Sequence, residues 1–467
     1  MAKFHIAMFP WFAIGHITPY THLANELARK GHKVTILLPK KAHLQIQNLN
    51  LHPNQVTFYP LNVPHVDGLP LGTETTSDAE LSLHGLLATA YDLTRDQVQN
   101  FLSTTKPQFV FYDFANWLPD IAVPLGIKTV FYSVVSPSAV SFTLTLTRNL
   151  PDDRRITPED LKKIELVSLP PSYPSSLVVH RVLHELRLLL MILSLSSCDG
   201  TTLAERLTTS MKRSDVLCMR SCRELEGNFC DYISNHLGKP VLLTGPVLPK
   251  AGVTNSSLEE RWADWLGRFE PGSVVFCVFG SQIILEKSQF QELVSGFELT
   301  GLPFFVALKP PKGCASVEEA FPLGFEERVK GRGVVYGGWV QQPLILSHPS
   351  IGCFVNHCGF GTMWESLLSD SQIVLVPFLS DQILNTRLLS AGDLKVAVEV
   401  EREGINRWFS KENLSKAIKS VMDKDSEVGI MMKKNHAKLR ETLEKPGLMS
   451  GYIDQLVHNL QELLSQN

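Results

Sequence analysis

Between Trp339 and Gln382 the chain sets polar side chains at intervals in an otherwise apolar stretch, WVQQPLILSHPSIGCFVNHCGFGTMWESLLSDSQIVLVPFLSDQ. Ile351–Asn356 is a short apolar run of the kind a buried strand uses. His357-Cys358-Gly359-Phe360-Gly361 follows as a tight loop, and Thr362 is placed to cap a helix beginning at Met363-Trp364-Glu365. Strand, glycine loop and helix N-terminus in that order make an anion site, because the backbone approaches the ligand closely and unpaired N–H groups point at it. His357, at the loop's entrance, is positioned to donate a hydrogen bond to a phosphate oxygen. Glu365, in the first helical turn, is positioned to accept two from a ribose diol. Upstream, Trp339 offers an aromatic face for a nucleobase, and Val340 and Gln342 lie beside it as further donor-site candidates. Downstream, Asp381-Gln382 place a carboxylate and an amide side by side after the apolar run Ile373–Pro377, a pair suited to a polyol. Base, ribose, phosphates and polyol together describe a nucleotide sugar. Gly280-Ser281, after the apolar run Ser273–Phe279, gives a second strand-to-helix loop that serves either as a phosphate contact or as a plain helix cap.

A reaction at a hydroxyl needs a base, and the first half of the chain supplies a candidate. His16 follows the first apolar run in Trp11-Phe12-Ala13-Ile14-Gly15-His16, ahead of a helix expected to start near Pro19. A neutral imidazole there suits proton abstraction. Asp113, after the run Phe109–Tyr112 and flanked by Phe111, Tyr112 and Phe114, is the candidate to hold its tautomer. Residue type alone leaves His16 open as an ordinary surface or core histidine, one of fifteen. Cys353, His357 and Cys358 read as strand-core thiols beside a phosphate-binding histidine rather than as a metal cluster. No Asp-x-Asp motif is placed to hold a cation on a diphosphate, since Asp152-Asp153 fall in a Pro-rich excursion.

The Trp339–Gln382 stretch resembles the plant secondary-product glycosyltransferase box, the signature of family 1 UDP-glycosyltransferases. Trp339, Gln342, His357, Gly359, Glu365, Asp381 and Gln382 are in register with it. The resemblance implies that Trp339 stacks on uracil, that Gln342 and Glu365 bind the ribose, and that His357 binds the diphosphate. It further implies that Asp381 and Gln382 contact the transferred sugar, and it favours the phosphate role for Ser281. Gly15-His16 and Asp113 match the family's catalytic dyad in order and context. Where the commonest box has Trp-Asn-Ser, this chain has Phe360-Gly361-Thr362, a variant similar to a subgroup that adds a sugar to a sugar already on the acceptor. The donor expected is UDP-glucose, with UDP-xylose and UDP-rhamnose open. The acceptor expected is a flavonoid or anthocyanin 3-O-glycoside, with an aglycone as the alternative. Gly15, Trp117, Phe142 and the Leu186–Leu195 region are the candidate acceptor lining. The implied reaction is one inverting displacement without a metal, the UDP-sugar being a cosubstrate and no cofactor staying bound.

These residues need a scaffold. At 467 residues the chain is long enough for two or three domains. Apolar runs at Phe4–Phe9, Val34–Leu38, Val56–Tyr59, Phe109–Tyr112 and Thr129–Tyr132 alternate with helical stretches. The pattern restarts at Ser273–Phe279, Phe304–Leu308 and Val334–Tyr336. Such alternation predicts doubly wound α/β domains with parallel sheets. The resemblance specifies the GT-B fold: two facing Rossmann-like domains with a donor/acceptor cleft between them. The expected limits are 1–243 for the acceptor domain, 244–260 for a linker and 261–447 for the UDP-sugar domain. A last helix, roughly 448–465, is expected to return to the first domain. The net charge of −3 without a basic cluster argues against nucleic acid. Eight cysteines without CxxC pairs, no signal-like segment and no apolar run near the ~20 residues a span needs point to a cytoplasmic monomer with no membrane span. Gly359-Phe360-Gly361 has Trp364 where a dinucleotide-binding loop needs its third glycine, which disfavours a dehydrogenase. A non-catalytic nucleotide-sugar-binding module predicts a lost base or partner, yet His16 and Asp113 are present.

Overall fold

The computed structural model describes residues 3–147, 172–174, 192–248, 257–280, 282–392, 394–402 and 408–465. Most of the excursion expected at 151–180, with Asp152 and Asp153, most of the Leu186–Leu195 run and Ser281 therefore lie outside the described residues. The chain divides into two compact units, Met1–Leu248 with Lys445–Asn467, and Pro249–Glu444.

In the first unit, seven strands form one sheet: β1 (His5–Phe9), β2 (Lys33–Pro39), β3 (Val56–Leu61), β4 (Phe109–Tyr112), β5 (Lys128–Ser133), β6 (Val216–Met219) and β7 (Val241–Leu243). Their spatial order is β3-β2-β1-β4-β5-β6-β7, and every pairing is parallel. Parallel strands need crossovers, so helices cover both faces and the strands read as apolar runs rather than alternations. Side chains still divide by parity: Ile6 and Met8 join one core cluster, Ala7 and Phe9 the other. The short runs at β6 and β7 were outside the expected strands, and Val241–Leu243 pairs as the sheet edge.

The helix Leu448–Ser465 belongs to this first unit. Ile453, Leu456, Val457 and Leu460, spaced as one helical face, are buried in the cluster that holds Ile6, Met8 and Val34. Lys30 pairs with Asp454, and the Tyr452 hydroxyl accepts from the Arg223 N–H at 2.9 Å and donates to Glu224 at 2.8 Å.

The second unit carries six strands: β8 (Val274–Val278), β9 (Phe304–Ala307), β10 (Gly333–Tyr336), β11 (Ile351–Asn356), β12 (Gln372–Leu375) and β13 (Ala397–Glu399). Their order is β10-β9-β8-β11-β12-β13, again all parallel. Each sheet thus reverses its winding once, at β1/β4 in the first unit and at β8/β11 in the second. Loops leaving the carboxyl ends of two strands at such a reversal diverge to opposite faces and open a crevice, where α/β folds bind ligands. In register, Phe9 lies opposite Tyr112, and Val278 opposite Asn356. The next residues along these strands include the ones singled out for chemistry. Among the described residues no helix is long and apolar enough to cross a membrane.

Candidate active site

At the first reversal, β4 ends at Tyr112 and delivers Asp113, whose side chain is only 3% exposed. Its Oδ1 accepts the backbone N–H groups of Trp11 and Phe114 at 2.8 and 2.7 Å. Its Oδ2 meets His16 Nδ1 at 2.7 Å. An ionised carboxylate only accepts, so in neutral His16 the proton sits on Nδ1 and Nε2 keeps its lone pair. The loop after β1 is shorter than expected. The helix runs Ile14–Arg29, so His16 stands in its first turn rather than ahead of it, and Pro19 lies inside the helix. Gly15 is exposed with open space where a side chain would project. Phe114 packs beside the imidazole, ring centres 5.6 Å apart.

Two residues expected to line an acceptor pocket are buried side chains. Trp117 is buried among Phe9, Tyr91 and Leu118, and its indole N–H donates to Asp92 at 2.7 Å. Phe142 is 1% exposed inside the helix Pro137–Thr147. Both were chosen for aromatic character, which serves a core as readily as a pocket.

At the second reversal, β8 is followed by Gly280 and β11 by His357. Gly280 takes φ +70, and a Cβ there would stand 3.1 Å from His357 Cε1. A Cβ on Gly359 would stand 2.6 Å from His357 Nε2. Gly359 has the ordinary φ of −58, so its lack of a side chain serves the imidazole and not backbone freedom. Burial pushes the His357 imidazole down to about 4, so it is neutral near pH 7. Its Nδ1 has no hydrogen-bond partner among the described residues.

The helix after this loop is Phe360–Leu367, with Gly359 as its N-cap. Thr362 is therefore inside the helix and does not cap it. Met363 N–H is the first to reach an intrahelical acceptor, Gly359 O at 2.8 Å. The N–H groups of Phe360, Gly361 and Thr362 precede it, aligned with the helix dipole. Glu365, one turn on, accepts from the amide of Gln342, so the two side chains assigned to a ribose meet without it. Trp339 is 78% exposed and presents a free aromatic face. The Val340 side chain is core, and its carbonyl accepts from Gln342 N–H at 2.8 Å.

Asp381 and Gln382 occupy the first turn of the helix Ser380–Ser390. Gln382 Oε1 accepts the N–H groups of Phe378 and Leu379 at 2.9 and 3.0 Å, which leaves its amide nitrogen to donate. Asp381 Oδ2 accepts from Asn385 at 3.3 Å. Asn356 and Asn385, both fully buried beside the loop, were not singled out from sequence. Buried amides are uncommon, but nothing in their spacing marks them before the fold is known.

The two all-parallel α/β units match solved structures across the chain. Glycyrrhiza uralensis UGT73P12, complexed with glycyrrhetinic acid 3-O-monoglucuronide, aligns with TM-score 0.79 at 22% identity over 100% of this chain and 97% of that one. Arabidopsis thaliana UGT89C1, complexed with UDP-L-rhamnose, aligns with TM-score 0.76 at 22% identity over 98% and 100%. The fold is therefore GT-B.

The sequence model described as UDP-glucoronosyl and UDP-glucosyl transferase matches residues 328–441. UDP-glycosyltransferases 79B2 and 79B6 of Arabidopsis thaliana are 56% and 53% identical to this chain over 463 residues, 99% of it and 98% of each of them. The chain belongs to the plant family 1 UDP-glycosyltransferases.

Proposed function

We propose that the chain moves a sugar from a UDP-sugar, UDP-glucose first, to a hydroxyl on the sugar of a flavonoid or anthocyanin 3-O-glycoside, inverting the anomeric centre without a metal. The observation that carries catalysis is the buried Asp113 carboxylate holding His16 Nδ1 at 2.7 Å. The acceptor hydroxyl gives its proton to His16 Nε2 as its oxygen attacks the anomeric carbon from the face opposite the UDP. The carbon–oxygen bond to the β-phosphate breaks with its electron pair on the diphosphate, and Asp113 stabilises the imidazolium. An α-linked D-glucosyl donor so yields a β-glycoside.

Charge developing on the leaving diphosphate falls on the N–H groups of Phe360, Gly361 and Thr362 and on a neutral His357 donor. Among the described residues no three His, Cys, Asp or Glu side chains cluster to hold a metal. Trp339 would stack on uracil, Gln342 and Glu365 would hold the ribose, and Asp381 with the Gln382 amide nitrogen would hold the sugar. Gly280 contributes close backbone approach beside His357, and Ser281 stays in the proposal on the family likeness alone. Phe360-Gly361-Thr362 in the box supports a glycoside acceptor. So does the monoglucuronide bound to UGT73P12. UGT89C1, complexed with UDP-L-rhamnose in one structure and quercetin in another, keeps rhamnosyl transfer and an aglycone acceptor as the second reading.

The test crosses UDP-glucose, UDP-xylose, UDP-rhamnose and UDP-galactose with flavonoid aglycones and their 3-O-monoglycosides, with products read by mass spectrometry. Product from monoglycosides alone supports sugar-on-sugar transfer and names the donor. Product from aglycones alone overturns the acceptor, and a retained anomeric configuration overturns the single displacement.

A further inference from the structure

Cys358 stands in the middle of the phosphate loop with φ 58. That is the left-handed region, which disfavours any residue with a Cβ. A residue stays there when its surroundings over-determine it, and such residues collect at ligand sites. Two fully buried amides hold it from either side. Asn356 Oδ1 accepts the Cys358 N–H at 2.9 Å, and Asn385 Nδ2 donates to the Cys358 carbonyl at 3.0 Å. Asn356 also donates to Ser366 Oγ at 3.1 Å, joining the end of β11 to the helix beyond the loop. Asn385 has a second attachment, Asp381 Oδ2 at 3.3 Å, one turn earlier on its own helix.

We propose that Asn385 is a positioning residue of the donor site, one amide that sets the phosphate loop and the sugar-facing carboxylate together. Through the Cys358 carbonyl it keeps the backbone left-handed, and this turn aims His357 on one side and the Phe360–Thr362 N–H groups on the other. Through Asp381 it orients the carboxylate, so diphosphate binding and sugar binding share one anchor. The inference rests on the reading of His357 and Asp381 as donor contacts.

The experiment uses the full chain with single and paired substitutions, UDP affinity by calorimetry and steady-state kinetics with UDP-glucose. Asn385→Ala removes a buried hydrogen bond and is expected to weaken UDP binding about tenfold. Cys358→Gly added to Asn385→Ala restores UDP affinity to within about threefold of Cys358→Gly alone, because glycine adopts the left-handed turn without a holder. Cys358→Ala added instead restores nothing, which separates relief of strain from loss of the thiol. In the restored protein kcat/KM for UDP-glucose stays low, since Asp381 still lacks its amide. Unchanged UDP affinity in Asn385→Ala, or equal restoration by glycine and alanine, overturns the proposal. If Asn385→Ala has no cooperative unfolding transition, Asn385→Ser, too short to reach the carbonyl, replaces it with the same outcomes. His357→Ala is the companion measurement. Unchanged UDP affinity there removes the donor reading itself, whereas a loss there without one in Asn385→Ala overturns only the role of Asn385.

Discussion

Replacing Asp113 by asparagine keeps the size of the side chain and changes one atom, and the backbone decides which. Oδ1 accepts two N–H groups, from Trp11 and Phe114, whereas Oδ2 faces only His16. The asparagine oxygen must take the first position, so its NH2 stands against His16 Nδ1. Nδ1 then has to accept, which leaves the proton on Nε2 and the base unable to act. Turning the amide over to restore the working tautomer would set its NH2 against two buried N–H donors. At roughly 1–3 kcal/mol for each group left unsatisfied, that costs about 4 kcal/mol. At ~1.4 kcal/mol per tenfold, kcat of Asp113→Asn should fall about 1,000-fold. UDP affinity and the thermal midpoint should stay close to the parent's. Turnover is measured with saturating UDP-glucose, UDP affinity by calorimetry and folding by thermal denaturation. A kcat within tenfold of the parent, in a protein that still binds UDP, would refute the claim that the carboxylate sets the tautomer. Asp113→Ala is less informative, because it strands both N–H groups and destabilises the fold as well.

Gly359→Ala keeps an allowed backbone but places Cβ 2.6 Å from His357 Nε2, so the ring must move. Overpacking of about 1–3 kcal/mol predicts UDP binding weaker by roughly tenfold with folding largely kept, measured by calorimetry. Gln342→Ala and Glu365→Ala remove partners of one hydrogen bond, so their effects on UDP affinity should be clearly less than additive in the double variant. Burial raises the Glu226 carboxyl to about 7. The folded chain therefore binds a proton that the unfolded chain has released above a carboxyl's ordinary value of 4.5. This contribution is full below that value and lost as pH rises through about 7. Glu226→Gln should flatten that decline, seen as a smaller drop in thermal midpoint between pH 5 and 8; equal slopes would contradict it.

Much of the scaffold was legible because parallel strands buried on both faces leave continuous apolar runs. Ile351–Asn356 was bounded correctly, and other strands came within a residue or two. β6, β7 and β13 were not read, since runs of three or four residues resemble any loop that touches a core. Two helix starts were placed too late for a common reason. Pro19 and Thr362 each suit a first position by residue type, yet Ala13 and Gly359, with no capping side chain, begin those helices. Of the site, the polar residues stood out against apolar neighbours. Their tethers did not. Which amide meets Cys358 is decided by β11 and the helix Ser380–Ser390 coming together, a tertiary fact with no local spacing to announce it.

The two stretches that make up the first unit lie on either side of the whole second unit in the chain. Four residues near the end of the chain, Ile453, Leu456, Val457 and Leu460, complete the core around β1 and β2. During synthesis the second unit can therefore close its sheet while the first, though made earlier, still lacks a wall of its interior. Until the final helix leaves the ribosome, apolar side chains such as Ile6, Met8 and Val34 lack part of their cover, an aggregation hazard that lasts for the synthesis of some two hundred residues. Expression yield of this protein should thus depend on translation speed and chaperone supply between Pro249 and Glu444, a region that contributes nothing to the core at risk.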